Sequence, residues 1–259
     1  MNNNALIGYS GFVGSTLLKQ ASFKYLYRST NIEQIQNNEF DTVVCAGAPA
    51  QKWLANKEPQ EDKAIIDTLI GHLATIKCKK FILISTVDVF IDPTDIDELT
   101  SVDEAGLHAY GLHRRQLEKF VEDNFDDYLI IRLPGLVGPG LKKNVIFDFL
   151  NNNNLDAIES RGVFQFYPMV NLWADIQLAE KENLKLVHFT AAPVSVSTIA
   201  CKGFGIDFKN EILESPASYN FKTRYAGIFS GASCYQYSVK ETLLAIRAYA
   251  QSEPLKAGL

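Results

Sequence analysis

A chain of 259 residues with 47% hydrophobic and 21% charged side chains has the composition of a soluble globule able to bury a sizeable core. Its formal net charge of −5 supplies no basic field for gripping nucleic acid. No apolar run reaches the length of a membrane span, and MNNNALIG has neither a basic n-region nor a long h-region, so the expectation is a cytoplasmic protein without a membrane or nucleic-acid partner. Cys45, Cys78, Cys201 and Cys234 are scattered, with no CxxC and no histidine cluster, and read as reduced thiols and no metal site.

In chain order, apolar runs of strand length alternate with stretches of helical period. ALIGY is followed by VGSTLLKQ, then KYLY; DTVVCAG is followed by AIIDTLIGHLATI; KFILIS is followed by AYGLHRRQLEKFVEDNF and then YLIIRL. This alternation predicts an α/β fold, a doubly wound parallel sheet whose strands are apolar throughout because both faces are covered. Beyond Leu133 the pattern turns irregular, with PGLVGPG and the run Asn151 to Asn154 as breakers. A helix at Val145 to Leu150, a strand in LKLVHF, a capped helix in SVSTIACKG and an amphipathic C-terminal helix follow. Ser238 with Glu241 three residues later is a capping box for the last of these. The expectation is one continuous unit over 1–259: 1–143 mainly a Rossmann part, 144–259 mainly a small, partly irregular substrate lobe with elements returning to the sheet.

GYSGFVG follows the first strand and opens the first helix, the context in which a glycine pattern carries meaning. Gly8 permits the tight turn, Gly11 lets a diphosphate approach the backbone, and Gly14 lets helix and strand pack closely. Ser10, Phe12 and Val13 complete the candidate dinucleotide loop, with the helix N-terminus aimed at the phosphates. After the second strand stand Arg28, Ser29 and Thr30, where an NAD site usually carries an acid. A cation with two hydroxyls suits a 2′-phosphate, so the pattern favours NADP over NAD.

These pieces, in this order, resemble the extended short-chain dehydrogenase/reductase group, in particular its nucleotide-sugar epimerases, dehydratases and reductases. GYSGFVGSTLL is similar to that group's glycine loop, and CAGAP, with Ala46, Gly47 and Ala48, to its small-residue loop beside the cofactor. ILISTVDVF resembles its fourth-strand signature, closest to the dTDP-4-dehydrorhamnose reductase type. YGLHR stands where the group has Tyr-x-x-x-Lys, and IIRLPGLVGPG is similar to its fifth strand and following loop. Val87 and Asp88 replace the Asp-Glu pair of the dehydratases, which argues against that chemistry.

The resemblance implies hydride transfer between a nicotinamide and a sugar or nucleotide-linked sugar, with Tyr110 as proton carrier and Thr86 bonding the same substrate oxygen. Ser85 is the other candidate for that hydroxyl. A phenol of pKa about 10 needs nearby positive charge to act as a base at neutral pH. In the group a lysine one turn on supplies this charge and holds the ribose; here that position is Arg114, whose planar fork is not equivalent to an ammonium. Two readings follow: an active enzyme using Tyr-x-x-x-Arg, or a dinucleotide-binding sensor on the same scaffold. Pro134 resembles a residue lining the nicotinamide pocket. Asn144, Gln165 and Arg224 are candidate substrate contacts, and Asp88 reads either as a lone acid or base or as a turn cap. His108 and His113 read as lining of the cleft or of a dimer surface. Helices near 60–76 and 109–125 match those that pair in dimeric relatives, so the resemblance implies a homodimer.

Overall fold

The inner parts of the strands form where successive positions are apolar, as in Val43–Cys45 and Phe81–Ile84, because helices on both faces leave no solvent side there for polar residues. The computed structural model describes residues 3–254. In chain order its elements are β1 (Ala5–Ile7), α1 (Phe12–Gln20), β2 (Tyr25–Tyr27), β3 (Glu39–Cys45), α2 (Lys52–Lys57), α3 (Pro59–Leu73), β4 (Lys77–Thr86), α4 (Ala109–Asn124), β5 (Tyr128–Leu133) and β6 (Gly135–Val137). There follow α5 (Val145–Asn151), β7 (Val163–Phe164), β8 (Phe166–Pro168), α6 (Leu172–Lys181), β9 (Leu186–His188), β10 (Val194–Ser195), α7 (Val196–Ile199) and α8 (Val239–Ser252).

The chain folds as two compact units. The first comprises the chain up to Ile91 with Thr100–Leu133 and Leu172–His188, and the second Asp92–Leu99, Pro134–Asn171 and the chain from Phe189 on. The first unit is the expected α/β structure: one six-stranded sheet in the order β2-β1-β3-β4-β5-β9, with every pair parallel. Chain direction across the sheet reverses between β1 and β3, and the crevice beyond the carboxyl ends of such strands is where open α/β sheets hold ligands. On one face Ile7, Phe40, Val43, Phe81 and Leu83 pack with Ile66, Leu69 and Leu73 of α3 and Leu117 and Val121 of α4. Phe81 stacks on Phe125 with centroids 4.3 Å apart. Full burial of each such side chain is worth about 1.5–3 kcal/mol.

The sixth strand, β9, lies in the expected strand LKLVHF and returns to the sheet from beyond the irregular stretch that follows Leu133. The helix expected near 60–76 is α3, opened by Pro59, whose missing N–H is harmless in a first turn. Two helices were not in the sequence pattern, α2 before α3 and α6 before β9.

In the second unit β6 pairs with β8 in parallel and β7 with β10 antiparallel. Tyr167, Phe189, Phe221 and Tyr249 are fully buried in it. Ser195 caps α7 through the Thr198 amide, and the helix runs on as a π-turn to Phe204 before Gly205 ends it at φ +73°. The capping box of Ser238 and Glu241 starts α8. No helix among the described residues is long and apolar enough to cross a membrane.

Candidate active site

The glycine loop is shaped by backbone contact. Gly8 has φ +83°, and its amide donates to the Tyr27 carbonyl at 2.8 Å. A Cβ on Gly8 would lie 2.2 Å from the Ala46 carbonyl oxygen, and one on Gly14 would lie 2.1 Å from that of Gly8. Both glycines are therefore required for β1, α1 and the end of β3 to approach one another. Gly11 is different: a Cβ there would meet nothing nearer than the Gly8 oxygen at 3.4 Å, so it faces room. Gly11 is also the N-cap of α1, with no side chain capping the helix and no acid in its first turn. The positive end of the helix is left uncompensated beside the open glycine, which fits a diphosphate. Ser10 is exposed, and Phe12 and Val13 are half-buried.

Arg28 and Ser29 follow β2 and are exposed. The Arg28 Nε donates to Thr30 Oγ1 at 2.9 Å, and its guanidinium lies 5.8 Å from the centroid of Tyr9 in the glycine loop. Ala46, Gly47 and Ala48 continue from β3, where the Ala46 amide donates to the Ile7 carbonyl at 2.9 Å.

Tyr110 lies in the first turn of α4. His108 is the N-cap, its Nδ1 accepting from the Gly111 amide at 3.0 Å, and the Tyr110 amide donates to Asn56 Oδ1 of α2 at 3.0 Å. A Cβ on Gly111 would lie 2.2 Å from the Asp88 carbonyl oxygen, so α4 rests on the 3₁₀ turn Val87–Val89 that follows β4. This contact brings together Tyr110, 8% exposed, and Thr86, whose side chain hydrogen-bonds the phenol. Burial pushes the phenol's pKa up and the Asp88 carboxylate adds to that; the Arg114 charge and the Thr86 hydrogen bond oppose it without overcoming it. At rest Tyr110 is a phenol holding its proton tightly.

Thr86, not Ser85, is the hydroxyl that meets Tyr110. Ser85 points away, donating to Glu118 Oε1 at 2.6 Å, because successive strand residues face opposite sides of a sheet. Asp88 is no simple turn cap: its amide donates to Thr86 Oγ1 at 3.1 Å, while its carboxylate accepts from the Thr86 hydroxyl at 3.4 Å and from Lys52 Nζ at 2.8 Å.

Arg114 is 3% exposed and already engaged. Its Nη1 and Nη2 donate to the two Asp62 oxygens at 2.5 and 2.9 Å, and Nη2 also to the Pro49 carbonyl. The guanidinium carbon lies 4.0 Å from the centroid of the Tyr110 ring. Of its N–H groups only the buried Nε–H has no acceptor. His113, expected as cleft or dimer lining, is instead buried, its Nδ1 2.7 Å from Asp62. Burial raises the Asp62 pKa, but the hydrogen bonds and charge of Arg114 and His113 prevail and hold it below the usual carboxylate value. Lys52, Asn56 and Asp62 lack any local motif; Asp62 and Arg114 are separated by 52 positions.

The remaining candidates lie in the second unit. Pro134 opens its Pro134–Asn171 segment, directly after β5. Asn144 caps α5, its Oδ1 accepting from the amides of Ile146 and Phe147 and its Nδ2 donating to Leu136. Gln165 is 1% exposed and ties Ala191 and Phe221 together through their backbones. Both amides are engaged in structural tasks: Asn144 has one N–H and Gln165 one lone pair beyond these bonds. Arg224 is exposed, its Nη1 3.5 Å from Asp97. Among the described residues no cluster of His, Cys, Asp and Glu is arranged to hold a metal ion.

No family model matches this chain, and no curated protein matches its sequence. Solved structures do match its fold. The UDP-N-acetylglucosamine 4-epimerase of Methanobrevibacter ruminantium M1, solved with UDP-N-acetylmuramic acid, is 15% identical with a TM-score of 0.75, over 96% of this chain and 97% of its own. The Bordetella bronchiseptica enzyme WbmG, solved with NAD and UDP, is 14% identical with a TM-score of 0.75, over 96% and 94%. The dTDP-4-dehydrorhamnose reductase of Yersinia enterocolitica is 16% identical with a TM-score of 0.68, over 97% and 99%. The likeness therefore runs nearly end to end in each case, and the doubly wound α/β fold expected from the sequence is the fold that these proteins share with it.

Proposed function

We propose that this protein is an NAD(P)-dependent oxidoreductase or epimerase of the extended short-chain dehydrogenase/reductase group, acting on a nucleotide-linked sugar with Tyr110 as proton carrier. One observation carries the reading: the open glycine loop after β1 and the Tyr110–Thr86 pair after β4 are built on the same parallel sheet. Support comes from the fold, shared with proteins solved with NAD or with UDP-sugar ligands.

When bound, the nicotinamide supplies or takes up hydride. The chain's own part is to hold the diphosphate at Gly8, Gly11 and Gly14 and the N-terminus of α1, and to move a proton at the Tyr110 oxygen. A phenol that keeps its proton at neutral pH is set to deliver it to a sugar oxygen as a carbonyl is reduced, with Thr86 beside it to orient that oxygen. The unpaired Nε–H of Arg114 is the donor available to the ribose. Arg28, Ser29 and Thr30 favour NADP, and helices α3 and α4 provide the face for a homodimer.

The test is calorimetric titration with NADP and NAD, followed by a turnover screen over nucleotide-sugars. Binding is expected for wild type and for Tyr110→Phe, with turnover lost only in the latter, and Gly14→Ala is expected to abolish binding. Absence of binding to either dinucleotide at millimolar concentration would overturn the reading. A second reading, a dinucleotide-responsive regulator on the same scaffold, draws on the Arg114–Asp62 pair, in which a carboxylate offsets the cation beside Tyr110. It predicts dinucleotide binding without turnover.

A further inference from the structure

Tyr110 lies between two ion pairs of different kinds. Against the face of its ring is Arg114, bound on two nitrogens by Asp62; these side chains are 3% and 5% exposed. At its hydroxyl is Thr86, and behind Thr86 is the Asp88–Lys52 pair, whose side chains are 19% and 38% exposed. The first pair is enclosed. The second is open to solvent, and it alone of the two is linked by hydrogen bonds to the oxygen whose proton moves.

The bonding of Thr86 carries this link. A hydroxyl has one hydrogen and two lone pairs. One lone pair takes the Asp88 amide, and the single hydrogen is the donor that favours the Tyr110 phenolate; Asp88 Oδ2, an acceptor only, 3.4 Å away, competes for it. Lys52, 2.8 Å from the other carboxylate oxygen, determines how strongly Asp88 draws on that hydrogen.

We propose that Asp88 and Lys52 are positioning residues that control Tyr110 through Thr86, taking over in this protein the tuning role that the Tyr-x-x-x-Lys pattern gives to the residue one turn after the tyrosine. The inference rests on the reading of Tyr110 as proton carrier and extends it. Arg114 keeps its charge against the ring but is matched by Asp62, whereas Lys52 stands where bound anionic groups or solvent can alter its pairing. The groups facing Tyr110 are Lys52 from α2, Asp62 from α3 by way of Arg114, Asp88 from the turn after β4, and His108 and Arg114 from α4. Burial and the Lys52 charge push the His108 pKa down, so it stays neutral while the phenol titrates.

The experiment uses the full chain with 3,5-difluorotyrosine in place of Tyr110, whose electron-poor phenol titrates nearer neutral pH, followed by ¹⁹F NMR. Lys52→Met removes a cation and is expected to raise the midpoint by about one pH unit; Asp88→Asn removes an anion and is expected to lower it by about as much. Lys52→Arg is expected to restore the wild-type midpoint. Midpoints unmoved in Lys52→Met and Asp88→Asn, or moved in the same direction, would overturn the proposal. Dinucleotide affinity measured on the same samples separates the two claims, since its absence removes the functional reading and leaves the titration result standing.

Discussion

Two buried arginine–carboxylate pairs flank the inner face of α4, and they differ in how completely they are satisfied. Glu118, 0% exposed, receives four donors: Arg132 Nε and Nη2 at 2.9 and 2.7 Å, Ser85 Oγ at 2.6 Å and Arg115 Nη1 at 2.9 Å. Asp62 receives three, and its Arg114 partner keeps a buried Nε–H with no acceptor. A carboxylate offers about four acceptor sites, so Glu118 is saturated and Asp62 is not. The Glu118 nest ties α4 to β4 and β5, and its carboxylate has no acceptor site left, although Arg115 there, like Arg114, keeps a buried Nε–H without a hydrogen-bond acceptor. The Asp62 carboxylate keeps an acceptor site, and its Arg114 partner lies against the Tyr110 ring.

This contrast can be broken in graded steps. Glu118→Gln leaves Arg132 buried without its counter-charge and is expected to cost about 3–5 kcal/mol of stability by urea denaturation. Asp62→Asn is expected to cost less, about 1–3 kcal/mol, because the amide oxygen still accepts and Arg114 keeps the Pro49 and Tyr110 carbonyls. Equal losses in the two variants would dissolve the distinction.

Acid sharpens it further. Burial raises the Glu118 pKa, but Arg132, Ser85 and Arg115 outweigh burial and hold it low, as Arg114 and His113 do for Asp62. Both carboxylates have lower pKa values folded than unfolded. Their contribution is complete above the ordinary carboxylate range near pH ~4 and is lost as pH falls through the folded values. Denaturation midpoints measured downward from pH 6 are expected to fall more gently in Glu118→Gln than in wild type. At the small end, Lys63→Ala removes an exposed i,i+4 pair with Asp67 and is expected to leave the midpoint unchanged.

Much of the first unit was legible in the sequence because strands buried on both faces leave continuous apolar runs, as in VVC and FILI, and because a glycine loop between strand and helix has a local cause. Tyr110 and Thr86 were legible through the order of motifs. The surroundings of Tyr110 were not. Asp62 meets Arg114 across 52 positions, and no spacing rule announces such a pair. Helix α2, which brings Lys52 and Asn56 to the site, is six residues long, and its Trp53 is 65% exposed, so it carries no apolar stripe to read. Gln165 and Asn144 could be taken for substrate contacts because polar residues in irregular stretches look alike until their backbone partners are known.

Gly111 sets the spacing of the chemistry. Because α4 meets the turn after β4 backbone to backbone at this position, the main-chain spacing from which the phenol and the hydroxyl project is set here. A methyl group added there would act as a shim between helix and turn, moving Tyr110 off Thr86 while leaving the sheet behind it in place. Damage at this position would therefore be felt as a loss of alignment before it was felt as a loss of fold.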